Sequence, residues 1–356
     1  VRVLIAGGGT GGHLYPGIAL ARELQRRDVS TDVSFVGTAA GLEARVIPRE
    51  GFALDLIRVA GLKGKSLLAR LRGLALLPLS AVDAWRVLSR RRPSVVVGVG
   101  GYASGPVLAL AALRRYPTLL LEQNALPGLT NRLLAPIVRA AAVNFEEALR
   151  FFPRTGFVAG NPVRAEFFAP AVTEGHDQKV RVLIFGGSQG AHAINLALVA
   201  AAPQLAAAGL GLAITHQTGE RDLALVRDAY QRAGLDARVE AFLYEIDREM
   251  TGADLVVARA GATTLSELAA AGRPAVLVPL PTATDDHQRK NAEAFAHAGG
   301  AVVLDERGLT GDRMAAEVLA LARDAGRRRQ MGERARALAR PDAAARIADR
   351  VWALAG

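Results

Sequence analysis

Residues Val1 to His13 read VRVLIAGGGTGGH, and residues Val180 to His192 read VRVLIFGGSQGAH. Nine of these thirteen positions are identical at an offset of 179 residues. Each copy is an apolar run that breaks into glycines and then opens a helical pattern, so each reads as strand, loop, helix. Glycine admits positive φ and lets an anion approach the backbone N–H groups with no side chain between. A helix N-terminus favours that anion through its dipole. The offset is far longer than a solenoid period and predicts two whole doubly wound domains that open in the same way.

Gly7, Gly9 and Gly12 also fit the dinucleotide fingerprint G-x-G-x-x-G, which makes a nicotinamide- or flavin-dependent oxidoreductase the first alternative. That fingerprint needs an acid at the end of the second strand to hold a ribose hydroxyl. Here the second strand reads Val33 to Val36 and ends in Gly37-Thr38, while its acid, Asp32, stands at its start. The misplaced acid and the repeated loop argue against this alternative.

At 356 residues and 51% hydrophobic content the chain can bury two cores. It carries no cysteine, and a strand pattern begins at once, with no basic segment, apolar core and cleavage site ahead of it. The expected compartment is therefore the cytoplasm. The net charge of +10 suits an anionic partner, whether nucleic acid, a membrane surface or a phosphorylated substrate. Arginine supplies nearly all of it, since only Lys63, Lys65, Lys179 and Lys290 are lysine. Two uncharged stretches, 93–113 and 193–219, are long enough for membrane spans, but glycines and polar residues in their middles assign them to strand, loop and helix units.

Apolar strands alternate with helical stretches throughout, which predicts parallel sheets covered on both faces. The first helix is expected over Pro16 to Arg27, with the proline in its first turn. The domain boundary is expected between Gly160-Asn161-Pro162 and the polar segment Thr173 to Lys179. Between Leu62 and Leu79, residues Leu67, Leu68, Leu71 and Leu74 recur at helical spacing beside Arg70 and Arg72. Such a stripe faces either a core or a membrane interface.

Four turns follow strands and belong at the C-terminal sheet edges, where ligands of open α/β folds bind: 7–13, 98–105, 186–190 and 259–264. Gly186 to Gly190 suits a phosphate but lacks the length and lysine of a Walker loop. With no D-x-D spacing anywhere in the sequence, a diphosphate held without metal is the better fit. In RAGATTLSEL (259–268), Glu267 can accept two hydrogen bonds from a ribose diol, and the pair Thr264 and Glu267 also reads as a capping box. In DDHQRKN (285–291), His287 beside two aspartates hints at metal without the spread of ligands a site needs, while the amide of Gln288 suits sugar hydroxyls.

These residues together resemble the MurG family of UDP-N-acetylglucosamine to lipid-linked N-acetylmuramyl-pentapeptide glucosaminyltransferases. The resemblance runs nearly end to end, through GGTGGH (8–13), GGYASGP (100–106), EQNALPGLTNRLLA (122–135), GNPVR (160–164), GGSQGA (186–191), GATTLSELAAAG (261–272) and DDHQRKNA (285–292). It implies a GT-B fold, with two Rossmann-like parallel-sheet domains facing across a cleft. The first spans 1–161 on the acceptor and membrane side, the second 162–342 holds the donor, and a helix over about 343–356 returns to the first. It implies UDP-GlcNAc as donor and transfer to the C4 hydroxyl of MurNAc on undecaprenyl diphosphate, which turns lipid I into lipid II.

The implied donor contacts are Ser188 and Gln189 on the diphosphate and Ile246 on the uracil through backbone groups. Thr263, Thr264 and Leu265 meet the phosphates, Ala262 and Ser266 belong to the same donor site, Glu267 meets the ribose and Gln288 the GlcNAc hydroxyls. Asn124 and Arg164 complete the site, with Thr10, Gly11 and Gly12 near the reacting centre. His13 is the candidate general base, and Glu122 and Tyr102 position the acceptor. No metal or other cofactor is implied. Leu67, Leu68, Leu71, Leu74, Arg70 and Arg72 become a docking surface for an anionic membrane on its cytoplasmic face, with no nucleic acid partner. Further implications are a role in cell-wall biogenesis, cell shape and division, and contact with other cell-wall synthesis proteins. A related enzyme with another lipid acceptor and a UDP-GlcNAc epimerase are the near alternatives. A nicotinamide-dependent oxidoreductase is the distant one, and a non-catalytic, membrane-bound nucleotide-sugar sensor is a further reading.

Overall fold

A computed structural model describes residues 1–59, 76–169, 179–187, 190–283 and 286–356. The chain divides into two units, Val1–Arg164 with Arg340–Gly356, and Ala165–Ala339.

Unit 1 runs β1 (Arg2–Gly7), α1 (Gly11–Arg27), β2 (Asp32–Gly37), α2 (Glu43–Arg49), β3 (Ala53–Leu56), α3 (Leu77–Arg91) and β4 (Val95–Gly100). It continues through α4 (Ser104–Leu113), β5 (Thr118–Glu122), α5 (Leu129–Leu134), β6 (Ala140–Val143) and β7 (Gly156–Val158). Its strands lie in the order β3-β2-β1-β4-β5-β6-β7, and every pairing is parallel. Helices on both faces explain why β4 is apolar along its whole length and why β4 and β5 are buried at every residue.

Unit 2 repeats the plan with β8 (Val180–Phe185), α6 (His192–Ala207), β9 (Leu212–Gln217), α7 (Leu223–Ala233), β10 (Asp236–Glu240) and α8 (Ile246–Gly252). There follow β11 (Leu255–Ala258), α9 (Ala262–Ala271), β12 (Ala275–Leu277), α10 (His287–His297), β13 (Ala301–Val303), α11 (Gly311–Arg323) and α12 (Ala325–Ala337). The strand order is β10-β9-β8-β11-β12-β13, again parallel. The last helix, α13 (Ala343–Ala355), belongs to unit 1 and packs on α1, where Ile347 and Val351 are fully buried and Arg27 pairs with Asp349 at 2.5 Å.

The repeated opening therefore marks two parallel-sheet Rossmann-like units, as the sequence predicts. In each, strand order reverses beside the opening strand, between β1 and β4 and between β8 and β11. This switch point is where an open α/β sheet leaves a crevice for ligand. Stretch 93–113 is β4 with α4, and 193–219 contains most of α6 and all of β9. Among the described residues no helix is long and apolar enough to cross a membrane.

One boundary differs from expectation. Helix α1 starts at Gly11, and Pro16 lies inside it. Gly11 and Gly12, read from the sequence as loop, are helical because packing of the first turns outweighs their poor propensity. Strand β12 stops at Leu277, since Pro279 and Pro281 bring no N–H to a ladder. The apolar stripe with Leu67, Leu68, Arg70, Leu71, Arg72 and Leu74 lies outside the described residues.

Candidate functional site

In unit 1 the loop after β1 turns on Gly8 (φ +134°) and Gly9 (φ +87°), and Thr10 caps α1 in an extended conformation. Thr10 and Gly12 are exposed and His13 is half-buried, so this loop presents itself to solvent. Gly8 N–H donates to the Gly100 carbonyl at 3.3 Å, which joins this loop to the one after β4. Gly100 has φ +93°, and a Cβ built there would lie 2.6 Å from His13 Nδ1 and 2.9 Å from its Cε1. Glycine at 100 thus makes the room in which the imidazole lies, with Nδ1 buried against the backbone. A side chain on Gly101 would strike the Gly8 carbonyl, and the next residue, Tyr102, is 53% exposed.

Glu122 ends β5 with its side chain buried. One carboxylate oxygen accepts from the N–H of Asn124 at 2.9 Å and from its Nδ2 at 3.2 Å. The other accepts from Gly128 N–H at 3.2 Å and Asn131 Nδ2 at 2.7 Å. Burial raises the Glu122 carboxyl above the ordinary range, against the pull of these same hydrogen bonds. Both oxygens are committed to the loop 123–128 and to Asn131 at the start of the next helix, so Glu122 shapes that loop and fixes Asn124 in it. Arg164 is buried with its guanidinium 4.7 Å from the Tyr15 ring centroid, on the α1 side of the unit.

Sequence reasoning missed Glu43, at the start of α2. Its carboxylate is 1% exposed and accepts from Gly9 N–H at 2.6 Å, Thr38 N–H at 2.8 Å and Thr38 Oγ1 at 2.9 Å. The available signal was the set Gly8, Gly37 and Gly41, at each of which a Cβ would collide with this side chain.

In unit 2, Ser188 and Gln189 lie outside the described residues. Their flanks show a turn on Gly187 (φ +89°) and Gly190 (φ +75°), with Gly190 set against the Thr218 carbonyl closely enough to forbid a side chain. Gln217, at the end of β9, donates from Nε2 to the Gly187 carbonyl at 2.7 Å and accepts from Leu243 N–H at 3.0 Å. Buried Asn195 ties the start of α6 to the loop after β9. It donates to the Thr218 carbonyl at 2.9 Å and to Asp222 at 2.8 Å, and its Oδ1 meets His216 Nε2 at 3.0 Å. His216 also meets the Tyr230 hydroxyl at 2.9 Å, and burial drives its pKa down to about 3, which keeps it neutral. Burial alone would raise the Asp222 carboxyl, but hydrogen bonds from Asn195 and His192 outweigh it and hold the group below the usual range.

Helix α9 has Gly261 as its N-cap, so Ala262, Thr263 and Thr264 form its first turn. The capping box read at Thr264 and Glu267 is not formed, because Thr264 is itself helical. Ser266 Oγ donates to the Ala262 carbonyl at 3.0 Å. Ala262, Thr263, Leu265 and Glu267 are all buried, which places the Glu267 carboxylate within the unit, one turn behind the helix start. Ile246 opens α8 with its side chain buried, leaving its backbone at the helix end. Gln288 lies in the first turn of α10, and its Oε1 accepts from Leu280 N–H at 3.0 Å.

The model of the glycosyltransferase family 28 N-terminal domain matches residues 3–143, and that of the family's C-terminal domain matches residues 181–347. A protein of Anaeromyxobacter dehalogenans (strain 2CP-C) named UDP-N-acetylglucosamine--N-acetylmuramyl-(pentapeptide) pyrophosphoryl-undecaprenol N-acetylglucosamine transferase is 49% identical over 354 residues, 98% of this chain and 92% of that protein. A protein of the same name from Geobacter sulfurreducens is 44% identical over 358 residues, 99% of this chain and 98% of that one. The crystal structure of Acinetobacter baumannii MurG superposes with a TM-score of 0.74 at 30% identity, covering 99% of both chains. A UDP-GlcNAc 2-epimerase from Neisseria meningitidis, at 13% identity and TM-score 0.68 over 99% of this chain and 100% of that one, shares the fold.

Proposed function

The chain belongs to glycosyltransferase family 28, with the GT-B fold of its relatives, and on that premise we propose that it transfers GlcNAc from UDP-GlcNAc to the C4 hydroxyl of MurNAc in a polyprenyl-diphosphate-linked MurNAc-pentapeptide. The observation that carries this reading is the nearly full-length likeness to proteins named for that reaction.

The reaction is a single inverting displacement. The acceptor oxygen bonds to the anomeric carbon as the bond from that carbon to the UDP oxygen breaks, and the bonding pair departs with the β-phosphate. The acceptor proton passes to His13. With Nδ1 buried against Gly100, Nε2 is the nitrogen that takes it, a role typically worth about 10²- to 10⁴-fold. Tyr102, exposed in the neighbouring turn, lines the acceptor side, and Glu122 acts there through the loop it shapes.

In unit 2 the charge of the departing diphosphate is met by the N-termini of α6 and α9, each worth roughly 0.3 to 1 kcal/mol and up to about 2 when partly buried. Ser188, Gln189, Thr263 and Thr264 add hydroxyl and amide donors, with Ala262, Leu265 and Ser266 shaping that helix start. Glu267 accepts from the ribose diol, Ile246 serves uracil through its backbone, and Gln288 binds sugar hydroxyls. In unit 1, Asn124, Arg164 and the Thr10-Gly11-Gly12 turn are the candidates for donor contacts.

The lipid acceptor calls for a peripheral site on the cytoplasmic face of a membrane. Besides the stripe at 67–74, helix α3 exposes Leu77, Leu79, Val82 and Trp85 next to exposed Arg86, with Arg114 4.1 Å from the Trp85 ring centroid. Apolar side chains beside arginine suit an anionic leaflet, each charge near it adding about 1 kcal/mol.

The test is incubation with labelled UDP-GlcNAc and a short-chain lipid acceptor in EDTA, comparing wild type with His13→Ala and Glu267→Ala. Disaccharide-lipid should form only with the acceptor present; free or epimerised sugar without lipid would favour the epimerase reading. A loss of less than ~10-fold in His13→Ala would refute the general-base role. Glu267→Ala should mainly raise the donor KM.

A further inference from the structure

Glycine loops at the start of a doubly wound sheet ordinarily offer their N–H groups to a phosphate. In unit 1 an internal anion holds one of them. The Glu43 carboxylate, 1% exposed, accepts from Gly9 N–H at 2.6 Å with one oxygen. The other oxygen accepts from the N–H and hydroxyl of Thr38 at 2.8 and 2.9 Å. Gly8, Gly37 and Gly41 close around it, each at a place where a side chain would displace it. Unit 2 is built otherwise. Its second strand ends on Gln217, and this neutral amide holds the glycine loop through the Gly187 carbonyl. Two loops of similar sequence are thus anchored in opposite senses, one by a carboxylate on an N–H and one by an amide on a carbonyl.

We propose that Glu43 is a positioning residue for the transfer reaction: it is the resident anion of the unit 1 loop, fixing Gly9 and through it Thr10 and His13, and it occupies an N–H that a nucleotide phosphate would otherwise take. This rests on the transferase reading above. Only an oxygen can face both Gly9 and Thr38, because their backbone N–H groups can only donate. The amide of Glu43→Gln must turn its NH2 toward one of them and releases the loop on that side.

The experiment measures kcat and both KM values for wild type, Glu43→Gln and Thr38→Val, together with UDP affinity by calorimetry and hydrogen exchange in the peptide around Gly9. Glu43→Gln should lower kcat by about 10- to 100-fold, the scale of a small misplacement of a catalytic group. Donor KM and UDP affinity should stay within about twofold of wild type, and Thr38→Val should fall in the same direction by a smaller factor. Unchanged kcat in a folded Glu43→Gln protein overturns the proposal. So does UDP affinity that falls in step with kcat, since damage would then reach beyond the loop. If Glu43→Gln does not fold, unchanged kcat in Thr38→Val overturns it. The exchange measurement is independent of turnover. Faster exchange around Gly9 in Glu43→Gln supports the anchor even if wild type transfers no sugar, whereas that failure by itself refutes the transferase reading. Exchange as slow as wild type refutes the anchor.

Discussion

Replacing Gly100 by alanine tests the link between the two unit 1 loops. The new Cβ would lie 2.6 Å from His13 Nδ1, and ordinary contact needs about 3.5 Å, so the imidazole must move by roughly 1 Å. A displacement of that size can cost about 10²-fold in rate, or some 2.7 kcal/mol of barrier. The backbone adds strain: φ at this position is +93°, and a non-glycine residue held in such a region costs about 1 to 3 kcal/mol, less about 0.4 to 1 kcal/mol regained from the stiffer unfolded chain. For a domain of this size that amounts to a melting temperature lower by about 1 to 8 °C. The assay is the initial rate of disaccharide-lipid formation beside thermal unfolding, for Gly100→Ala, His13→Ala and the double variant. If Gly100 acts through His13, the double variant is no slower than His13→Ala. A folded Gly100→Ala enzyme with more than a third of wild-type activity, or single losses that multiply in the double variant, refutes the reasoning.

Three further outcomes follow from the same geometry. Asn195→Ala leaves the Thr218 carbonyl, the Asp222 carboxylate and His216 each short of a hydrogen bond and should destabilise the protein by about 2 to 4 kcal/mol, read from urea unfolding. Stability should also fall on acidification: His216 in the unfolded chain takes a proton near 6.5, whereas in the fold it does not do so until about 3, so its contribution is complete above 6.5 and drains away as pH falls toward 3. Between pH 7 and pH 5 the loss is about 2 kcal/mol. Glu122, raised by burial, has the opposite sign and offsets part of this at lower pH, as the folded state takes up its proton first; a urea midpoint that stays level or rises from pH 7 to pH 5 contradicts the His216 account. Finally, transfer should proceed in EDTA at a rate within about twofold of that with added magnesium, because helix termini and loop donors carry the diphosphate charge; a larger drop reverses the metal-free reading.

The sequence by itself determined the parts whose cause is local. Alternating apolar runs and glycine turns specify strand, loop and helix over a few residues, and the repeat of Val1–His13 at Val180–His192 therefore carried two sheets and their crevices with it. The candidate motif residues around 10–13, 122–124, 186–190, 261–267 and 288 could be singled out because each is a short string with its own chemistry. Tertiary structure decided what depends on partners far along the chain. That α1 begins at Gly11 was set by packing against propensity. That Gly100 is the wall behind His13 joins positions 87 residues apart, and that Glu43 anchors Gly9 joins positions 34 apart. A carboxylate at a helix start reads from sequence as an exposed, dipole-matched charge. Only the three glycines brought around it by strands β1 and β2 turn it into a buried anchor, since a hydrogen bond depends on distance in space and leaves no spacing rule in the chain.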